Sequence, residues 1–358
     1  MIEMQYNFPL LPGIGLQWRA RLLAAVSALS PENADELRPT FRMERLEQRG
    51  IAAKWLGVPV ERTWLVSGGH HGVLVSLLAA GLAGKTIAVE AVTYSGIVDQ
   101  AKLLGAKLVA CAFDGEGFVP ESLRAVCERE LAAGGRVDAM YTMPTVHNPL
   151  GYVAGLARRE AIAAVAREFD LLFVEDDADG YMEAEAPASY RELAPERTFF
   201  VRGLSKGYAP ATQTGFLVAP ERFGAAVENA VKNTTTGGSL VHNAAALSLV
   251  ADGTVDSVMQ AKRAEGARRN AAARAVLGDA AAPGARCAWQ LWVMLPEGMT
   301  AVEAQQVCQE RGVLVSGAKG FTPPGVEVAR ALRIGLGGEV DSERTAEGVR
   351  IVAGVVGR

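Results

Sequence analysis

Between about residue 60 and about residue 220, short apolar runs rich in Val, Leu and Ile alternate with Ala-rich stretches whose apolar positions recur at helical spacing. The runs predict strands at 63–66 (TWLV), 86–91 (TIAVEA), 107–113 (KLVACAF), 138–144 (DAMYTMP), 170–177 (DLLFVEDD), 198–205 (TFFVRGLS) and 214–219 (TGFLVA). Helices fall between them, for example at 121–133 (ESLRAVCERELAA) and 156–169 (LARREAIAAVAREF). This is the rhythm of βαβ units, so an α/β fold is expected, with a mainly parallel sheet covered by helices on both faces. From Glu221 the pattern turns helical for a long stretch. Strand signals return in WQLWVML, VLVSG and ALRIGL, separated by the helical AVEAQQVCQERG and followed by SERTAEGVRIVAGVV. The change of rhythm divides the chain into a large domain, 41–255, and a small α+β domain formed by 1–40 and 256–358.

Composition narrows the class. The chain has 358 residues, 49% hydrophobic and 21% charged, which suits a globular protein with a sizeable core and roughly two domains. Thirty-six Lys plus Arg against 40 Asp plus Glu give a formal charge of −4, which is no footprint for nucleic acid. No helix-turn-helix pattern precedes the domain, so a DNA-binding role is not expected. The N-terminus lacks a secretory pattern, and the longest apolar stretch, GVLVSLLAAGLAG, stops at Lys85, short of the roughly 20 residues that span a bilayer. A soluble cytoplasmic protein is expected. Cys111, Cys127, Cys287 and Cys308 are scattered singly, as reduced packing residues are.

Five segments carry candidate chemistry. Ser67-Gly68-Gly69-His70-His71-Gly72 follows a short strand and opens an apolar helix, where free N–H groups would cradle a phosphate; the same glycines also serve as plain turn chemistry. Glu175-Asp176-Asp177-Ala178-Asp179-Gly180-Tyr181 ends a strongly apolar strand, where α/β folds place ligands, although an acidic loop can equally be solvated. Its spacing mimics half a calcium loop, but the twelfth position is Ala186, and the His70-His71 pair has no carboxylate at ligand spacing; no metal is expected. Ser205-Lys206-Gly207 follows another apolar strand, and a lysine desolvated there is an amine nucleophile toward an aldehyde. Asn148-Pro149 follows a fourth strand. Arg333 lies inside the apolar run ALRIGL and needs a carboxylate, from a salt bridge or from a substrate.

In this order and spacing the segments resemble the fold-type I pyridoxal-phosphate enzymes of the class I/II aminotransferase family, in particular the aminotransferase-like half of MocR-type regulators and their free-standing enzyme relatives. The resemblance covers nearly the whole chain and rests on SGGHHG, VEAVTYSG, PTVHNPLG, VEDDADGY, GLSKGYAP and ALRIGL. It implies the fold-type I architecture, with a seven-stranded sheet in the large domain, and pyridoxal 5'-phosphate as cofactor. Lys206 would carry the cofactor aldehyde as a Schiff base and shuttle a proton to and from the substrate Cα. Asp176 would pair with the pyridine nitrogen, Asn148 would donate to the ring hydroxyl oxygen and Tyr94 would stack on the ring. Gly68, Gly69, His70 and Ser205 would hold the phosphate, and Arg333 would clamp the substrate α-carboxylate.

Three positions depart from the family pattern. Asp179 stands where relatives usually carry a tyrosine that donates to the ring hydroxyl. Gln213 stands where they place a phosphate-binding arginine, and Gly203 where a serine is common. Thr234, Thr235, Thr236 and Ser239 are candidates for the missing phosphate contacts, from this subunit or a neighbouring one. His70, His71, His147, Trp289 and Tyr181 are candidates for the pocket wall or for packing. The expected function is an aminotransferase acting between an amino acid and a 2-oxo acid, as a homodimer. The alternatives are another carbanion reaction on the same cofactor (decarboxylation, elimination, cyclisation) or a sensing module that binds cofactor and amino acid without turnover.

Overall fold

A computed structural model describes residues 1–29 and 46–358. The expected boundary between residues 40 and 41 lies outside the described residues. The large sheet has seven strands in the order Thr63–Val66, Gly215–Val218, Thr198–Gly203, Leu172–Asp176, Ala139–Thr142, Thr86–Glu90 and Lys107–Cys111. Only Gly215–Val218 runs antiparallel to its neighbours. Helices Gly69–Ala79, Ser95–Leu103, Pro120–Ala132, Leu156–Glu168 and Gly224–Thr235 accompany it. Strand residues such as Ala139, Met140, Tyr141, Phe173, Val174, Phe199 and Val201 are almost wholly buried, because helices cover both faces of the sheet. The carboxyl ends of the parallel strands therefore converge on one edge, and the sequence places there the Gly68 turn, Glu90, Thr142, Asp176 and Gly203.

All the expected strands but 63–66 end within their apolar runs, and one of these early ends changes the site. The run 198–205 is a strand only to Gly203, and Leu204–Gly207 closes into a helical turn. Leu204 N–H donates to the Thr214 carbonyl, and Tyr208 N–H to the Leu204 carbonyl, so the backbone leaves the ladder one residue after Gly203. Lys206 thus sits on a turn of helix and not on extended chain.

A second layer is built from the antiparallel strands Gln290–Met294, Ala331–Gly335 and Ser316–Gly317. Helices Ala301–Glu310 and Ser342–Val355 pack against it, and the N-terminal pair Ile2–Glu3 runs parallel to Val313–Leu314. The long helix Thr254–Leu277 joins the two parts of the fold. Among the described residues no helix is long and apolar enough to cross a membrane.

Candidate active site

Glycines bring three backbones into contact at the sheet edge. Gly68 takes φ 87°, which favours glycine, and caps the helix Gly69–Ala79. Gly215 lies between Val66 and Gly203 in the ladder. A Cβ on Gly203 would stand 2.8 Å from the Gly69 nitrogen, and one on Gly215 2.8 Å from the Gly68 carbonyl carbon. This accounts for Gly203 where relatives carry serine: no side chain fits while the helix start presses on the strand. A helix start leaves its first-turn amides without partners inside the helix, as an anion site requires, and that of Gly69–Ala79 lies at this strand edge. Ser205 Oγ lies beside the same turn, 3.9 Å from where a Gly68 Cβ would be.

His71 braces the turn and does not line the pocket. Its Nδ1 accepts from Ser67 N–H at 2.9 Å, and its Nε2 contacts Thr234 Oγ1 at 2.7 Å. Burial, then the neighbouring His70, pulls its pKa down to about 4, so the ring is neutral. Thr234 is therefore linked to the Ser67-Gly68 turn from within the same chain. Ser239 caps the helix Leu240–Ala251, accepting from His242 N–H. His70 is exposed and meets the Tyr94 ring edge-on, with centroids 6.4 Å apart. Gln213 is exposed, at φ 45° after the short turn Pro210–Thr212, and shows no side-chain bond among the described residues.

The acidic strand end separates its carboxylates by the period of the strand. Asp176 is buried and accepts from Tyr141 Oη at 2.9 Å and from Ala178 N–H at 3.1 Å. Its pKa is pushed up to about 6, mainly by burial, against the pull of the Lys206 charge. Asp177 faces the other way and binds Arg202, whose Nε donates at 2.5 Å. Asp179 is turned back by the Gly180–Met182 turn and accepts from Lys206 Nζ at 2.5 Å. Lys206 thus lies within the field of Asp176 and in contact with Asp179.

Tyr94, Asn148, Lys206 and Arg333 line one pocket of about 860 Å³, together with residues of the N-terminal segment such as Gln5, Tyr6 and Phe8. Lys319 and Arg330 also line it, and among the described residues no carboxylate does. Arg333 is buried; its guanidinium donates to the Gln5 carbonyl, to Ser316 Oγ at 3.2 Å and to Asn148 Oδ1 at 3.4 Å, and lies over the Phe321 ring. All of these are neutral, and its Nε has no partner among the described residues. Burial holds its pKa down at about 10. An unpaired buried guanidinium facing a cavity is the arrangement that a carboxylate ligand completes.

Of the other wall candidates, His147, Trp289 and Tyr181 are buried away from the pocket. His147 stacks on Tyr152, 4.5 Å between centroids, and its pKa falls to about 3 through burial. Its Nε2 stands 3.9 Å from Glu90 Oε2, yet burial pushes Glu90 up to about 7, so the approach is not an ion pair. The His147 carbonyl accepts from Gln290 Nε2, and Gln290 Oε1 accepts from Asn7 Nδ2, which ties the N-terminal segment to the Asn148 turn.

Sequence reasoning missed Tyr141, the N-terminal wall and the buried Lys262. Tyr141 was findable, since it lies in the strand that pairs directly with Leu172–Asp176. The other two depend on segments more than 50 residues away in the chain, for which the sequence carries no local signal.

The residues present suit pyridoxal phosphate: an amine in a pocket, a buried carboxylate beside it, an amide at Asn148, and a glycine cradle that a Cβ would fill. Fold and site together define a fold-type I pyridoxal-phosphate protein. Residues 35–351 match the family model of aminotransferase class I and II, and the chain belongs to that family. It is 22% identical over 315 residues to the uncharacterized HTH-type transcriptional regulator YdeF of Bacillus subtilis, covering 86% of this chain and 67% of the regulator. It is 34% identical over 146 residues to the aminotransferase swnA of Metarhizium robertsii, covering 38% of this chain and 29% of that one. The structure of an archaeal alanine:glyoxylate aminotransferase superposes with a TM-score of 0.89 at 20% identity, over 100% of this chain and 91% of the other. That of the kynurenine aminotransferase of Pyrococcus horikoshii superposes at 0.86 and 21% identity, over 100% and 91%.

Proposed function

We propose that this chain is a pyridoxal-phosphate-dependent aminotransferase that moves an amino group between an amino acid and a 2-oxo acid. The observation that carries the reading is the meeting, in one pocket, of Lys206 with the neutral-bonded guanidinium of Arg333. Pyridoxal phosphate supplies, when bound, an aldehyde and an electron-withdrawing ring that stabilises negative charge at the substrate Cα. Arg333 would bind the α-carboxylate and so fix which Cα bond faces Lys206. Lys206 Nζ would take the Cα proton and return it. Asp176, held by Tyr141 and the Ala178 amide, would keep a proton on the pyridine nitrogen. Tyr94 would lie against the ring and Asn148 would donate its amide to the ring hydroxyl, its Oδ1 being taken by Arg333. Gly68, Gly69, His70 and Ser205 would hold the phosphate, with Thr234 behind His71.

The same reading covers the assembly and the setting. The large domain would be 41–255 and the small one 1–40 with 256–358. Leu16, Leu23 and Val26 leave an apolar stripe of the helix Ile14–Ser27 more than half exposed, which supports a homodimer. Four unpaired cysteines support a reducing, cytoplasmic setting.

The experiment takes two portions of the cofactor-loaded protein: one is reduced with borohydride and peptide-mapped, and the other, left unreduced, receives single amino acids while the visible absorption is watched. The adduct is expected on Lys206, and bleaching toward the pyridoxamine form is expected with at least one amino acid. An adduct on another lysine overturns the Lys206 assignment. The regulator relative keeps a second reading open, a sensing module, and an adduct on Lys206 with no bleaching by any amino acid would favour it.

A further inference from the structure

Lys262 stands on the helix Thr254–Leu277 with its side chain wholly enclosed. Its Nζ donates to the carbonyl oxygens of Lys206, at 2.7 Å, and of Tyr208, at 2.6 Å. No carboxylate is bonded to it among the described residues, and burial alone draws its pKa down to about 7. Enclosing an amine without a counter-charge costs free energy, and an apolar side chain of the same length would fill the space with less penalty. The reason for an amine there lies in where its bonds go.

They go to the two carbonyls that bracket Gly207, the residue after the candidate catalytic lysine. The same helix supplies shape as well: a Cβ on Gly207 would stand 2.3 Å from Met259 Cε, three residues before Lys262. The turn Leu204–Gly207 is otherwise closed by Tyr208 N–H on the Leu204 carbonyl. Its backbone is thus gripped from behind by Lys262 while the Lys206 side chain reaches forward to Asp179.

We propose that Lys262 is a positioning residue for Lys206, its buried amine fixing the 206–208 backbone so that Lys206 Nζ stays aimed into the pocket. The proposal rests on Lys206 being the cofactor lysine. It acts through orientation: a nucleophile whose anchor can rotate loses the near-attack geometry that makes an intramolecular reaction fast.

The test uses the full chain, stripped of cofactor, with Lys262→Met and Lys262→Arg. Pyridoxal phosphate is added, the adduct is trapped with borohydride at set times, and the Lys206 peptide is quantified beside the melting temperature. In Lys262→Met, compared with the parent well below both melting temperatures, the capture rate at Lys206 is expected to fall about tenfold or more, while the two carbonyls left without a donor lower the melting temperature. Lys262→Arg, which can donate to both carbonyls, should recover capture to within about threefold. With a reactive amino donor, kcat should fall in Lys262→Met while KM stays near the parent's. Should Lys262→Met not fold, Lys262→Gln serves one carbonyl and should capture at an intermediate rate. Parental capture in whichever of these two folds overturns the proposal and leaves Lys206 in place. A parent chain that captures the cofactor elsewhere, or not at all, overturns the Lys206 assignment and this proposal with it.

Discussion

Arg333 shows what a single residue can and cannot announce. A guanidinium inside ALRIGL demands an explanation from the sequence alone, but the sequence leaves a salt bridge and a ligand equally open. The structure favours the ligand, because the side chain is spent on a backbone carbonyl, a hydroxyl and an amide oxygen, with no carboxylate bonded to it among the described residues. Arg333→Ala should therefore leave the melting temperature and the absorption of bound cofactor close to the parent's. Single-turnover bleaching by a reactive amino acid should slow, by about 2 to 5 kcal/mol of transition-state stabilisation. A collapsed melting temperature with normal turnover in the folded remainder would return Arg333 to a structural role. Asp176 and Asp177 make the complementary case: adjacent in the chain, they face opposite sides of the strand, and the period of two assigns one to Tyr141 and the other to Arg202.

At the scale of elements, the site depends on a helix start driven against two strands. The sequence marks glycines at 68, 69, 203 and 215, and reads the first pair as a turn, yet gives no sign that the others are its partners. Their close approach is a property of the ladder, in which Gly215 pairs with Gly203, and of the helix laid across it. Gly203→Ala would place a methyl 2.8 Å from the Gly69 nitrogen, against backbone that has little freedom to yield. It should cost about 1 to 3 kcal/mol of stability and speed cofactor loss on dialysis, since the same movement tilts the amides that would face the phosphate. Thermal melts with and without cofactor check this. A fully stable variant with parental retention would mean that the helix start moves freely.

Across the whole molecule, the convergence of strand ends buries carboxylates in numbers, and stability acquires a pH dependence from them. Burial pushes Glu90 up to about 7, Glu175 up to about 8 and Asp176 up to about 6. For Glu90 the folded value lies above its ordinary 4.5, so the folded chain holds the proton more tightly than the unfolded chain. The stability tied to that proton is whole below about pH 4.5, declines as pH rises and is lost by about pH 7. Glu90→Gln keeps the acceptor for Thr142 and Tyr152 and cannot ionise. In cofactor-free protein its advantage over the parent should therefore grow from about pH 4.5 to about pH 7 and then level off, read from denaturant melts across that range. An advantage independent of pH would show Glu90 to be ionised in the fold.

The sequence by itself determined the class of the fold and which side chains are candidates for the chemistry. Hydrophobic periodicity is local, and six short motifs in order survive as text. What only the tertiary structure decided is who faces whom: Asp179 on Lys206, Gly203 under Gly69, Arg333 with neutral partners, and Lys262 behind the turn that carries Lys206. These contacts join segments separated by as many as 328 residues, or depend on the exact closeness of two backbones. Packing of the whole chain sets such distances, and no local pattern of residues encodes them.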